Sequence, residues 1–562
     1  MQSTCFAEQI QKPTNMVKRY VHILFFLLGL ALISCEDFLE KEPIGRDTEN
    51  VFYNDPDNAV LAVNACYDVL TWGQGPIPTN PTSASYMGHY EDFMIGDILT
   101  DDARKGGSGP SDEKVIQQMK DWRVTPQADK VTTIWSNCYA GIFRCNSALE
   151  NLQDAAIGDE LKMRLTGEVL FLRSYYYFYL VRIFGGVPLL LEPPEKSQAG
   201  TYTRSSAPEI YLQIEDDLKN AIASLPVKSE YDTRDMGRAT RGAAMAYLAR
   251  VIMYQLGTDN TNQHSWDRVL AYTDTIIRSG EYYLAPNFAT IFEIEGENGP
   301  GSVFEIQCKE NPAGEDWGGI MGGSMHSVFQ GNREHWGWGF NNPTEDLVRE
   351  FGDKDPRLAC TVYQEGDVVH GVQQKGYASA ETPYLSRKAA LEPEYRPAGD
   401  GKDSPANLRK FRYSDILLMN AEAAYYMDNE ALAIQRVEEV RERARQATQP
   451  KGSVIGEYGY EPWQEGEVVI PEVNPSLNGR DLLEVIWRER RVELAMEGLR
   501  YWDLVRTGRY LDALPDETIK NRCRSLCKEG YNHEGVLTYV PLLPIPATEV
   551  ESWGLEQNPG YY

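Results

Sequence analysis

The chain has 562 residues, 42% of them hydrophobic and 11% aromatic, and carries a formal net charge of -28. Such acidity excludes a nucleic-acid partner, whose phosphates need clustered Lys and Arg, and an electrostatic grip on anionic lipid; neutral ligands stay open. The length is enough for a large core and, on length alone, for three or four domains.

At the N-terminus, Lys18 and Arg19 form a basic start, with Met16 an alternative initiation point, and Ile23 to Ile33 is an apolar run of eleven residues. A membrane-spanning helix needs about 20 such residues, so the run matches the core of a secretory signal. It closes on Leu32-Ile33-Ser34-Cys35, which resembles a bacterial lipobox. This predicts a signal peptide over 1–34, a lipid anchor on Cys35 and a tether over 35–43. Two or more acyl chains anchor stably where one is marginal. Of nine Cys, seven remain after Cys5 and Cys35. Cys138/Cys145 and Cys523/Cys527 are the local candidates for disulfides, but the set is expected to be mostly unpaired and packed as small apolar residues. No Cys/His spacing predicts zinc.

Helical periodicity runs over Asp129–Leu152 and Asp159–Phe184, the second carrying Tyr175-Tyr176-Tyr177-Phe178-Tyr179 and stopped by Gly185-Gly186 and Pro188. Pro208–Leu225, Gly237–Leu256 and His264–Ser279 follow, then Tyr413–Met427 and Asn429–Gln446 across a tight turn. These are helix-turn-helix units in the size range of tetratricopeptide repeats, although the strict repeat signature is not legible. Between them lie the tracts Thr71–Arg123, Glu293–Arg409 and Lys451–Pro475, rich in Gly and Pro and holding Trp and Tyr. Tracts this long inside a compact protein are binding loops or disorder, and their aromatics favour binding loops.

From Asp481 the chain becomes dense in charge on an apolar background. Glu489, Glu493 and Glu497 are spaced four apart, which places them on one helix face, and Arg490, Arg491, Arg500 and Arg506 can pair with them or with neighbouring carboxylates. Glutamates so close to arginine are held ionised and make poor proton donors, which argues against acid–base catalysis.

The run Glu489-Arg490-Arg491-Val492-Glu493-Leu494 through Glu497-Gly498-Leu499-Arg500 to Asp503-Leu504-Val505-Arg506-Thr507-Gly508 closely resembles the signature of the SusD/RagB family. Gly337 to Val348 with Asp353 to Arg357, Tyr413 to Ala423, Pro544 to Val550 and Gln557 to Tyr561 resemble its other motifs in order. The resemblance implies a mostly α fold: a tetratricopeptide-like scaffold of about four helix pairs, with long loops and few short strands forming the ligand face. It implies a single domain over 44–562, with repeat helices over 129–280 and 410–446, ligand loops over 71–123 and 293–409, and family motifs over 481–562. It also implies an outer-membrane lipoprotein facing the cell exterior. Such a protein captures glycan and passes it to a SusC-like TonB-dependent transporter, with no catalysis, cofactor or metal.

Family binding residues do not sit in motifs, so the site is read from chemistry. Aromatic faces stack on the CH faces of sugar rings and planar polar groups read the hydroxyls. Three clusters qualify: Trp72 with Tyr86 and Tyr90; the polar loop of Asp102, Arg104 and Lys105, whose cations suit an acidic glycan; and Asn311, Trp317, Arg333, His335, Trp336 and Trp338. Trp338 lies in a family motif and is weighted towards structure. Alternatives are a RagB-like peptide-import lipoprotein, a surface glycoside hydrolase, or a repeat scaffold that binds proteins alone. No P-loop, HExxH or GxSxG is present.

Overall fold

The computed structural model describes residues 52–71, 91–194, 201–258, 265–309, 322–352, 354–397, 404–450, 460–461 and 468–561. The expected signal, anchor and tether, together with Trp72, Tyr86, Tyr90, Asn311 and Trp317, lie outside them.

The long helices are α1 (Pro56–Asp68), α2 (Asp129–Asp154), α3 (Asp159–Phe184), α4 (Ala207–Ser224), α5 (Arg241–Thr258), α6 (Trp266–Ser279), α7 (Tyr413–Tyr426), α8 (Glu430–Arg445), α9 (Gly479–Glu493) and α10 (Arg500–Arg506). Each of α1 to α8 packs on the next, so eight helices stack as four pairs, and α9 covers α7 and α8. The fold is mostly helical, as expected. One pair cannot bury its own apolar face, and stacking merges the faces into one core. That core holds buried side chains from Tyr53 to Tyr561.

Helix α3 is buried on every side over its C-terminal half, including all five residues from Tyr175 to Tyr179. Buried tyrosine needs a partner for its hydroxyl. Tyr176 donates to Cys66 O at 2.7 Å, Tyr177 to Leu190 O at 2.8 Å and Tyr179 to Asp92 Oδ1 at 2.6 Å. The aromatic run therefore ties α3 to α1, to the segment after α3 and to the segment before β1. Helix α4 starts on a capping box, with Ser206 and Glu209 satisfying each other's backbone N–H groups.

Two excursions leave this stack. One spans 69–128, between α1 and α2; the other spans 280–412, between α6 and α7. Both were expected as irregular loops, and both contain short regular elements. The first holds a π-helical turn (Glu91–Ile98), strand β1 (Ala103–Gly106) and a short helix (Lys114–Lys120). The second opens on β2 (Ser302–Ile306), includes β3 (Phe340–Pro343) and closes on β4 (Leu408–Arg412). These pieces are too short for periodicity to declare them; tertiary pairing makes them regular. Antiparallel β2 and β4 join the two ends of the second excursion, and β4 runs directly into α7. Antiparallel β1 and β3 join the two excursions to each other.

The charged C-terminal stretch differs from its sequence expectation. Helix α9 ends at Glu493, and Met496 and Gly498 take positive φ, so Glu497 sits in the following turn rather than on a shared helix face. Of the two pairings open to the arginines, the one with other carboxylates is the one formed. Glu489 accepts from Arg357 and Arg441, while Glu493 accepts from Arg357, Arg412 and Arg443. Glu497 accepts from Arg412 and Lys388. Arg490 and Arg491 point elsewhere, to Asp415 and Asp503 and to Asp102 and Asp346. A helix cannot aim i and i+1 at one partner, so the acids and the neighbouring arginines diverge to separate elements.

Candidate functional site

The β1–β3 ladder brings two of the three sequence-predicted clusters together. Ala103 faces Pro343, Arg104 faces Asn342 and Gly106 faces Phe340, and Gly107 N donates to Gly339 O at 2.8 Å. The loop 101–107 thereby lies beside the loop 331–339, although more than 200 residues separate them in sequence.

The second loop folds back on itself. Trp338 N donates to Val328 O at 2.7 Å and Gly339 N to Gly331 O at 2.9 Å. A Cβ on Gly337 would stand 2.1 Å from the carbonyl carbon of Gly331, so no side chain fits there. This close crossing turns out the residues between, and Arg333 and Glu334 are exposed while His335, Trp336 and Trp338 are half-buried. Trp338 packs edge-on against Phe329, with centroids 4.4 Å apart at 75°. Trp336 carries the Arg396 guanidinium 5.9 Å from its ring centroid. Arg333 donates to Trp338 O at 2.8 Å and lies 3.7 Å from Asp112. His335 Nε2 is buried with no hydrogen-bond partner among the described residues. Burial, then Lys375 and Arg396, push this imidazole below its ordinary range, so it is neutral near pH 7.

A third strip, not foreseen from sequence, clamps the ladder. Tyr377 OH donates to Gly339 O at 3.1 Å, Ser379 Oγ to Gly107 O at 2.9 Å, and Gly106 N donates to Glu381 Oε1 at 3.0 Å. Lys375, Tyr377, Glu381 and Arg396 all belong to this face, yet their segment carries no motif and no aromatic run. Only the folded chain places them.

Two predicted site residues take structural positions. Asp102 is 1% exposed and accepts from Arg491 at 2.8 Å, joining the ladder to α9. A carboxylate so buried and paired is not offered to a ligand from solvent. Lys105 is also 1% exposed, and its ammonium donates to Gly106 O, Gly109 O and Asp112 O at 2.8–3.0 Å. Along a strand, side chains alternate between faces, so if Arg104 points out, Lys105 must point in. Arg104 is exposed and forms no hydrogen bond or ion pair among the described residues.

A separate apolar groove of about 560 Å³ lies between α2 and the helix Ala547–Trp553, lined by Trp135, Tyr139, Phe143, Tyr202 and Trp553. Its polar neighbours are already engaged: Asn146 donates to Leu190 O, and Arg144 pairs with Asp68.

Comparison with known proteins places this architecture. A SusD-like family model, described as starch-binding and associating with the outer membrane, matches residues 86–253, and the SusD family model matches residues 290–561. The chain belongs to the SusD family. Among curated relatives of this SusD-family protein, SusD-like protein P25 of Formosa agariphila is 24% identical over 88% of this chain and 91% of its own. A SusD-like protein of Bacteroides ovatus is 26% identical over 87% and 82%. Among solved structures, a laminarin binding SusD-like protein superposes with a TM-score of 0.68 at 26% identity, covering 90% of this chain and 99% of that one. The solved relative is named as laminarin binding, and one matching family description is of starch-binding proteins that associate with the outer membrane.

Proposed function

We propose that this SusD-family protein captures a glycan at the cell surface and hands it to a SusC-like TonB-dependent transporter, anchored in the outer membrane through Cys35. The observation that carries the reading is the β1–β3 union. It sets Trp336, an aromatic platform flanked by Arg396, Arg333 and His335, on the face where the two excursions meet. Rigid strands hold a binding loop in place better than a free loop does. The laminarin binding relative supports a carbohydrate as ligand. The family signature supports capture without chemistry, because Glu489 and Glu493 are buried in shells of arginine. Burial alone would raise the Glu493 carboxyl, but Arg443, Arg412 and Arg357 outweigh it and hold the group well below the usual range. A carboxylate in that state donates no proton.

The soluble form starting at Glu36 should bind one glycan class in calorimetry and affinity electrophoresis. Trp336→Ala should weaken binding about tenfold, equivalent to about 1.4 kcal/mol. Trp553→Ala, in the separate groove, should leave it unchanged. Affinity for peptides with none for any glycan would transfer the protein to peptide import, and hydrolysis of the bound oligosaccharide would overturn the non-catalytic reading.

A further inference from the structure

Resting on that reading, we infer that the captured glycan is acidic, carrying carboxylate or sulfate groups that pair with cations held beside Trp336. Around the C-terminal family signature, arginines are matched with acids: Arg357, Arg412, Arg490 and Arg506 each contact two or more carboxylates, whereas Arg182, buried elsewhere, meets Phe178 O and aromatic rings. On the face around Trp336 the rule fails. Arg104 and Lys375 are exposed, and neither has a hydrogen bond or ion pair from its side chain among the described residues. Arg396 donates through Nε and Nη2 to Leu391 O, and among the described residues no carboxylate lies within ion-pair distance, with Glu392 and Glu394 acting on it only from farther off.

Two acids of the same face, Asp112 and Glu381, are occupied instead. Asp112 accepts from Ser108 N and Oγ at 2.7 and 2.8 Å and lies 3.7 Å from Arg333. Glu381 accepts from Gly106 N at 3.0 Å. Glu334 is exposed. Among the described residues, the face therefore holds three cations without an ion-paired carboxylate, on a chain whose net charge is -28. Long-range repulsion of an acidic polymer by that charge is screened beyond about 8 Å at physiological salt, so the contacts at the face decide. A guanidinium recognises planar or tetrahedral oxyanions through paired N–H groups, and an ammonium acts as a point charge. Trp336 would take the ring while Arg396 and Lys375 take its acidic substituent. A neutral β-glucan gives those cations nothing to pair with.

The test titrates the soluble protein with a panel of neutral, uronate-bearing and sulfated polysaccharides. Matched pairs such as polygalacturonate and its methyl ester are included, at 50 and 500 mM NaCl. We expect the bound glycans to be acidic, with affinity falling at least tenfold at the higher salt. Lys375→Gln with Arg396→Gln should lower it at least tenfold, while Arg234→Gln, an exposed arginine elsewhere, should leave it unchanged. Equal variants, unchanged melting and loss of binding only in the double variant keep folding defects out of the result. Binding confined to neutral glycans, or insensitive to salt and to the double variant, overturns the acidic ligand and leaves glycan capture standing. An equal loss on Arg234→Gln would mark nonspecific charge attraction and also overturn it. No binding to any glycan overturns both.

Discussion

At the scale of single residues, Glu493 shows how much of this protein's stability rests on matched charge. It is fully buried and accepts from Arg357, Arg412 and Arg443, which come from three different elements. Removing one member of such a cluster strands the others, at a cost of about 3–5 kcal/mol. Glu493→Gln should lose about that much in denaturant unfolding, although the shape is nearly conserved. The pH dependence follows from the sign of the shift. The folded carboxyl sits below its unfolded value of about 4.3, so its contribution is present above that pH and is lost as pH falls through the folded value. Stability of the native chain should therefore drop on acidification below about pH 4.3, and the Gln variant should show a shallower slope. Parallel slopes would mean that Glu493 does not carry the linkage. The spacing of the three glutamates was visible in sequence, and the conclusion that Glu489 and Glu493 are held ionised agrees with the structure. Their partners were not visible, because Arg357, Arg412 and Arg443 come from 50 to 136 residues away.

At the scale of elements, the decisive unit is the four-residue pairing of β1 with β3. Neither strand declares itself, since Ala103–Gly106 and Phe340–Pro343 show no alternation of apolar and polar residues. Their register depends on glycine. Gly106 has φ +71°, and a Cβ there would stand 2.2 Å from Gly339 O. Gly106→Ala would add about 1–2 kcal/mol of left-handed strain and a backbone clash that must open the ladder. Hydrogen exchange should quicken at 103–107 and 339–343, and glycan affinity should fall, while α2 to α5 keep their protection. Unaltered exchange at the ladder would show that the two excursions are joined by something else. The long helices behaved differently: α3 matches its expected bounds, with Gly185 as its stop, and α7 ends one residue early, because a long run of consistent periodicity leaves little room for another structure.

At the scale of the whole molecule, the four helix pairs are interrupted twice, and both interruptions lead to one face. A stack of hairpins is rigid along its length and leaves its connections free to lengthen. The excursion at 280–412 can therefore be long without loosening α6 from α7, which pack directly on each other. The core reaches from Tyr53 to Tyr561 without a break between scaffold and C-terminal motifs. We accordingly expect one cooperative unit over the soluble chain. Unfolding followed by far-ultraviolet circular dichroism, which reads the helices, and by tryptophan fluorescence, which samples both the excursions and the scaffold, should give coincident transitions. Separate midpoints would divide the chain into two units.

The sequence by itself determined the helical class and the family and placed α2 to α8 to within about four residues, since each rests on local patterns or contiguous motifs, but it did not declare α1. It also singled out Arg104, Arg333, His335 and Trp336 as residues of an outward-facing loop chemistry. Only the tertiary structure decided that these lie on one face, that Asp102 and Lys105 turn inward, and that Lys375 and Arg396 complete the charge beside Trp336. The reason is physical. Periodicity and capping act over a few residues and are written locally, whereas strand pairing and charge matching are settled by which distant segments the folded scaffold brings within hydrogen-bond reach.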